Sequence, residues 1–365
     1  MDQQHLNDRQ FAFLIYSGTV GNMLFITIYV IQNAGRATYV AAFLGSCVTA
    51  LFMLWTIYLG KFMPKKSMFD IIKTYYGKMV SSILIMIYSL FHIFTGALIL
   101  RLSMTIFVKV QLLHLTPLWL ITLMPVIAIA IFLFTNSFNL FARWNVILQV
   151  VATSVYFVGI VVGMVIKFDV NNLKPVFHVD ASDFLLGFYL LLGATNETVL
   201  KSFSIMGLLK NYKVARKGLI KGAILYIPII STSLFFAIGI MGQEVARDST
   251  FAIVNLANQV GLGKFIQGLE IFHILPFLSL IYIHLGHNAY SSFLSACSLS
   301  HNKKFRLIMI GIICIGIYAI AISITSFNVA MVYMKTTITY VVVPFSLLIL
   351  IMASIAVIMR KRKKQ

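Results

Sequence analysis

Ten apolar stretches, each about as long as a helix that crosses a bilayer, leave this chain few folds to choose from. Inside lipid every backbone N–H and C=O must be satisfied within the element itself, so a spanning segment is a helix of about 20 mostly apolar residues. The stretches run over residues 11–32, 37–60, 80–108, 117–134, 144–166, 184–207, 219–242, 266–298, 306–326 and 336–358. The third and eighth are long enough to be strongly tilted. The longest outer connections, 167–183 and 243–265, have room for loops or short helices, and loop 61–79, with Pro64 and Gly77, suits a short interfacial helix. The expectation is an all-α polytopic membrane protein. Composition agrees: 60% of residues are hydrophobic and 11% charged, against about 25% charged in soluble domains.

Loop charge sets the expected orientation, because Lys and Arg near span ends collect on the cytoplasmic side. One set of alternate loops carries Arg9, the lysines between Lys61 and Lys78, Arg143, the cluster from Lys210 to Lys221, Lys303, Lys304, Arg306 and the tail from Arg360 to Lys364. The other side holds fewer bases, among them Arg36, Lys109, Lys167, Lys174 and Lys264, accompanied by Asp169, Asp180, Asp183, Glu244 and Asp248. Both termini are therefore expected to be cytoplasmic, which an even number of spans allows. The opening MDQQHLNDRQ lacks the small-residue cleavage site of a signal peptide.

Several function classes are disfavoured. The net charge of +19 is spread over short clusters between apolar runs and forms no aromatic-interleaved basic face, so nucleic acid is not an expected partner. Cys47, Cys297 and Cys314 lie in apolar stretches without metal or disulfide spacing. No paired carboxylates or nucleophile with a base point to an enzyme, and no cofactor is implied.

Two spans combine glycine with a dense polar run: YSGTVGNMLF, with Gly18, Thr19, Gly21 and Asn22, and LLLGATNETVL, with Gly193, Ala194, Thr195, Asn196 and Glu197. They are the first and sixth of ten, as a five-plus-five repeat requires. Residues 1–166 would form the first half, 184–358 the second and 359–365 a basic tail. In secondary transporters a pair of interrupted helices at the midplane offers backbone groups and half-helix ends to a ligand. The competing reading is close packing, for which membrane helices also use small residues.

Glu197 is the sharpest signal, since a carboxylate inside a span is costly and by default functional. Lys201, four residues on, shares its helix face and can pair with it or snorkel toward the surface. Thr95 and Gly96, with His92, occupy the middle of the third span, and His284, His287 and Asn288 lie within the eighth. His284 and His287 share a face, but two histidines without a third ligand do not make a metal site. Of these, Thr95, Gly96 and His287 join the candidate binding set, together with Tyr290, three residues beyond His287. Glu270, near the outer end of its span, reads as interfacial.

A family resemblance rests on GTVGNM at 18–23, LTPLWLI at 115–121, LFARWNVIL at 140–148, NNLKPVF at 171–177, TNE at 195–197 and LLKNYKVARKGLIKG at 208–222. In that order and spacing they resemble the B-subunit (GerB-type) family of spore germination permeases, within the amino acid, polyamine and organocation transporter superfamily. The resemblance implies a LeuT-like inverted repeat with helices 1 and 6 broken. It also implies the membrane subunit of a nutrient germinant receptor in the spore inner membrane, assembled with A and C subunits and binding a small nutrient, an amino acid being expected. It matches Glu197 to the acid after the sixth-helix break, and Gly18 and Gly21 to the first-helix glycines. The chain departs from the pattern in three places. No proline follows Asn22, Tyr39 stands where an acid and tryptophan pair is common, and Lys201 replaces an apolar residue. An autonomous proton- or sodium-coupled amino acid carrier is the alternative.

Overall fold

A computed structural model describes residues 5–110, 116–135, 137–249, 271–300 and 302–362. Every expected span falls on a helix. In chain order these are α1 (Asp8–Ala34), α2 (Thr38–Phe62), α3 (Met68–Val110), α4 (Leu118–Phe134), α5 (Phe138–Lys167), α6 (Ala181–Ile205), α7 (Tyr212–Met241), α8 (Ile271–Cys297) and α9 (Lys303–Ser323). The tenth is built in two pieces, α10 (Phe327–Thr337) and α11 (Val343–Arg362), joined by a π turn at Ile338–Val342. Glu270, Lys264, the first five residues of the eighth stretch and the last three of the basic tail lie outside the described residues. Six stretches among the described residues are long and apolar enough to cross a membrane by length and composition, and Leu118–Phe134 is a shorter apolar helix.

The helix starts are written locally. Asn7 and Gln10 form a capping box, each side chain accepting the other's backbone N–H at 2.8 and 2.9 Å. Ser137, Asn211, Asn302 and Ser326 likewise accept a backbone N–H at the N-caps of α5, α7, α9 and α10. At the outgoing ends, Gly35 (φ 53°) and Gly242 (φ 76°) take left-handed conformations that a side chain would resist. Loop 61–79 does contain a short helix: α3 begins at Met68 and turns sharply at Gly77, where φ is 84°.

One expectation is corrected. Helices α1 and α6 run unbroken through Gly18–Asn22 and Gly193–Glu197. Glycine lowers helix stability by only about 1 kcal/mol each, and no proline removes an N–H at either place. The polar side chains find partners on neighbouring helices, Thr19 and Asn22 across the α1 and α6 contact and Thr195 and Asn196 toward α2 and α11, so no unwinding is required to give them partners.

At the centre, α1 lies against α6, α7 and α5, while α2 packs on α6 and α7. Helix α8 packs on α3 and α5 and also meets α1 and α6. The interior where α1, α3, α6 and α8 converge is where the polar side chains collect.

Candidate functional site

Along α6 the side chain rotates about 100° per residue, so neighbours in sequence face different helices. Ala194, Glu197, Thr198 and Lys201 face α1 and α8. Tyr189, Gly193 and Asn196 form a second stripe toward the π turn and α11. The Tyr189 hydroxyl donates to the Thr339 carbonyl at 2.8 Å, and the Asn196 amide donates to Ser346 Oγ at 2.5 Å. A Cβ on Gly193 would come within 2.6 Å of the Ile338 carbonyl oxygen. Thr195 faces α2, its hydroxyl 2.7 Å from that of Thr49.

The first face holds the charged centre. Lys201 Nζ lies 2.8 Å from Glu197 Oε1, with both side chains fully buried. The same ammonium is 2.8 Å from His284 Nε2 on α8. An ammonium carries only donors, so the imidazole nitrogen that meets it accepts. Asn22 of α1 donates to Glu197 Oε2 and to the Ala194 carbonyl, the latter at 3.2 Å. Thr19 donates to Thr198 Oγ1 at 3.2 Å. The glycines of α1 make room for α6 and α8: a Cβ on Gly21 would sit 2.5 Å from His284 Nδ1, and one on Gly18 would sit 3.1 Å from Thr198 Oγ1 and 3.2 Å from His287 Nδ1.

Beside this centre, α3 and α8 share a second polar group. His92 Nδ1 and Asn288 Oδ1 are 2.8 Å apart, and Thr95 Oγ1 donates to the same Asn288 oxygen at 3.3 Å. The Tyr88 ring stacks edge-on against His92 at 4.3 Å between centroids. Both imidazole nitrogens of buried His287, and the His92 Nε2 and Asn288 amide nitrogen nearby, have no hydrogen-bond partner among the described residues. Asn22 Oδ1 also has no hydrogen-bond partner there, and Glu197 Oε1 has only ion-pair contacts. Buried polar groups are normally paired, so these atoms are open to a ligand.

Of the residues singled out from sequence, Gly18, Thr19, Gly21, Asn22, Ala194, Glu197, Thr95 and His287 come together here. Five do not face it. Gly193, Thr195 and Asn196 are turned toward α2, the π turn and α11 by the helical period. Gly96 is a packing position, where a Cβ would touch Leu285, Asn288 and Ile317 at 3.4 to 3.5 Å. Tyr290 lies apart: its hydroxyl donates to the Phe132 carbonyl at 2.6 Å and its ring lies 5.0 Å from those of Phe138 and Phe141, among aromatics of α4 and α5. The candidate set lacked Lys201, His284, His92, Asn288 and Thr198. For His284 and Asn288 a signal was present, since they recur with Ser291 and Ser295 at helical spacing along a largely apolar span.

The geometry defines a polytopic helical bundle of the transporter type, with its ionisable groups enclosed at the centre. A family model described as spore germination protein matches residues 5–329, and the chain belongs to that family, the spore permeases. No curated protein matches the sequence. Among solved structures, a sodium-coupled sialic acid symporter in a substrate-bound outward-open state is similar over 92% of this chain and 78% of its own, with TM-score 0.69 at 14% identity. Mhp1, a nucleobase-cation-symport-1 family transporter in a closed conformation with bromovinylhydantoin bound, covers 91% of this chain and 75% of its own, with TM-score 0.67 at 12% identity. A variant of the manganese transporter of Eremococcus coleocola covers 96% and 84%, with TM-score 0.65 at 14% identity. At these identities the likeness establishes a shared LeuT-like fold.

Proposed function

We propose that this chain is the membrane subunit of a spore nutrient germinant receptor. It binds a small nutrient at the polar centre between α1, α3, α6 and α8 and signals through A and C partner subunits in the spore inner membrane, with both termini cytoplasmic. Membership of the spore germination protein family supports the setting. The observation that carries the binding site is the enclosed group of Glu197, Lys201, His284 and Asn22 beside the unpaired nitrogens of His287. Buried ionisable groups at membrane depth are expensive, and a ligand that rearranges them shifts the balance between two packings of the bundle.

A second reading, a carrier that works alone, is favoured by the fold shared with symporters. One experiment separates the two. The purified chain in lipid is screened for thermal stabilisation against a panel of amino acids, sugars and nucleosides, and each hit is followed by radiolabelled uptake into proteoliposomes. Stabilisation without uptake is expected. Saturable uptake driven by an ion gradient would replace the receptor by the carrier. Spores carrying Glu197→Gln at unchanged protein level are expected to lose the nutrient response, and near-normal germination would count against the site.

A further inference from the structure

Glu197 is the one fully buried carboxylate among the described residues, and both of its oxygens are engaged from within the chain: Oε1 by Lys201 at 2.8 Å and Oε2 by Asn22. Arg101, the other buried cation, reaches toward the Thr325 carbonyl at 3.2 Å and takes no part. The Lys201 ammonium is held between Glu197 and His284 at 2.8 Å on each side. Because Lys201 follows Glu197 by one helical turn, the pair is set by α6 itself. We propose that Lys201 is a tethered cation, filling the place beside Glu197 that a free monovalent cation, whether an inorganic ion or the ammonium of a ligand, would otherwise take.

The physical case is one of effective concentration and desolvation. A cation fixed to the same helix meets the carboxylate without losing translational freedom, whereas a free ion must surrender it. A free cation that displaced Lys201 would also leave a buried ammonium without its counter-ion, which is the costly way to break such a pair. The ammonium thus decides what the site accepts, and the nutrient is recognised through the unpaired imidazole and amide nitrogens of His287, His92 and Asn288 rather than through a bare carboxylate. The inference concerns the resting chain and is read without any nutrient, so it can fail while the receptor reading stands, and the reverse.

The test is thermal unfolding of the full chain in lipid, in mildly alkaline buffer at constant ionic strength, in sodium, methylammonium or choline chloride. The native protein is expected to unfold at one temperature in all three. Lys201→Ala, which bares Glu197, is expected to be destabilised in choline and to regain several degrees, saturably, with sodium or methylammonium. Rescue by sodium marks the vacated place as an inorganic-ion site, and rescue by methylammonium alone marks it as an ammonium site; either supports the proposal. The pair of changes Glu197→Gln and Lys201→Met is expected to fold without cation dependence. A native protein saturably stabilised by sodium would overturn the inference. So would a Lys201→Ala protein indifferent to every cation or unrecoverable in all of them, or a cation response that persists in the double variant.

Discussion

At the scale of single residues, the Glu197 and Lys201 pair behaves as a unit. Removing one partner strands a charge away from water, at a cost of about 3–5 kcal/mol, whereas replacing both with neutral groups of similar size is often nearly neutral. A double-mutant cycle of Glu197→Gln and Lys201→Met, read by thermal unfolding in lipid, is expected to show each single change as strongly destabilising and the double as milder than either. Simple additivity would mean that the 2.8 Å contact carries no coupling. Gly21 makes a different kind of demand. A methyl there would meet the His284 ring at 2.5 Å, and a rigid ring hydrogen-bonded to Lys201 has little room to yield. Gly21→Ala is expected to cost about 1–3 kcal/mol as overpacking. Gly96→Ala, whose methyl would meet its neighbours at ordinary van der Waals distance, is expected to be tolerated in the same melt. Equal effects of the two would overturn this reading of α1 against α8.

At the scale of elements, the sequence told which helices carry polar groups more clearly than it told where those groups point. The ten spans and the short helix before Gly77 are local matters, written in hydrophobic runs and a glycine. Glu197 was legible because a carboxylate in a span stands out on its own. Its neighbours Thr195 and Asn196 read as companions because they are adjacent in sequence. On α6 adjacency means a turn of about 100°, and only knowledge of which helix lies on which side assigns each face. The same limit hid His284, whose role depends on α8 meeting α6, a contact between segments far apart in the chain. The glycine and polar runs in α1 and α6 suggested unwinding; the structure uses them for close approach and cross-helix hydrogen bonds. It follows that Thr195→Val and Asn196→Leu, which address Thr49 and Ser346, are expected to alter stability while depressing the response to every germinant alike. A change in which nutrient works, measured across a germinant panel, would put these side chains back in the binding site.

At the scale of the whole molecule, backbone contacts sort the loops onto two ends of the bundle. On one, the Leu6 N–H donates to the Leu208 carbonyl at 3.0 Å and Arg360 donates to the Phe62 carbonyl at 2.6 Å. Lys221 and Asp8 pair there at 2.6 Å, and the lysine holds the Asp8 carboxyl below its ordinary range. That pair is too exposed to add much stability, but it puts the start of α1 and the start of α7 at one end, and the Lys61 ammonium over the Tyr212 ring, with the Arg360 contact, adds the ends of α2 and α11. On the other, Arg36 donates to the Lys174 carbonyl and Asn172 donates to the Gly239 carbonyl at 3.0 Å. The lysine and arginine clusters at 61–67 and 208–221 lie at the first end, which in the proposed orientation, with the charge bias that directs insertion, would face the cytoplasm. In a background with Cys47, Cys297 and Cys314 replaced, cysteines introduced by Lys65→Cys and Lys210→Cys are expected to react with an impermeant maleimide only after cells are permeabilised. One introduced by Lys174→Cys is expected to react in intact cells. Only the labelling pattern can reveal a bundle inserted the other way up, because the internal contacts are the same in either orientation. The reverse pattern would turn the whole bundle over and put the end that carries Arg36 and Lys174 on the cytoplasmic side.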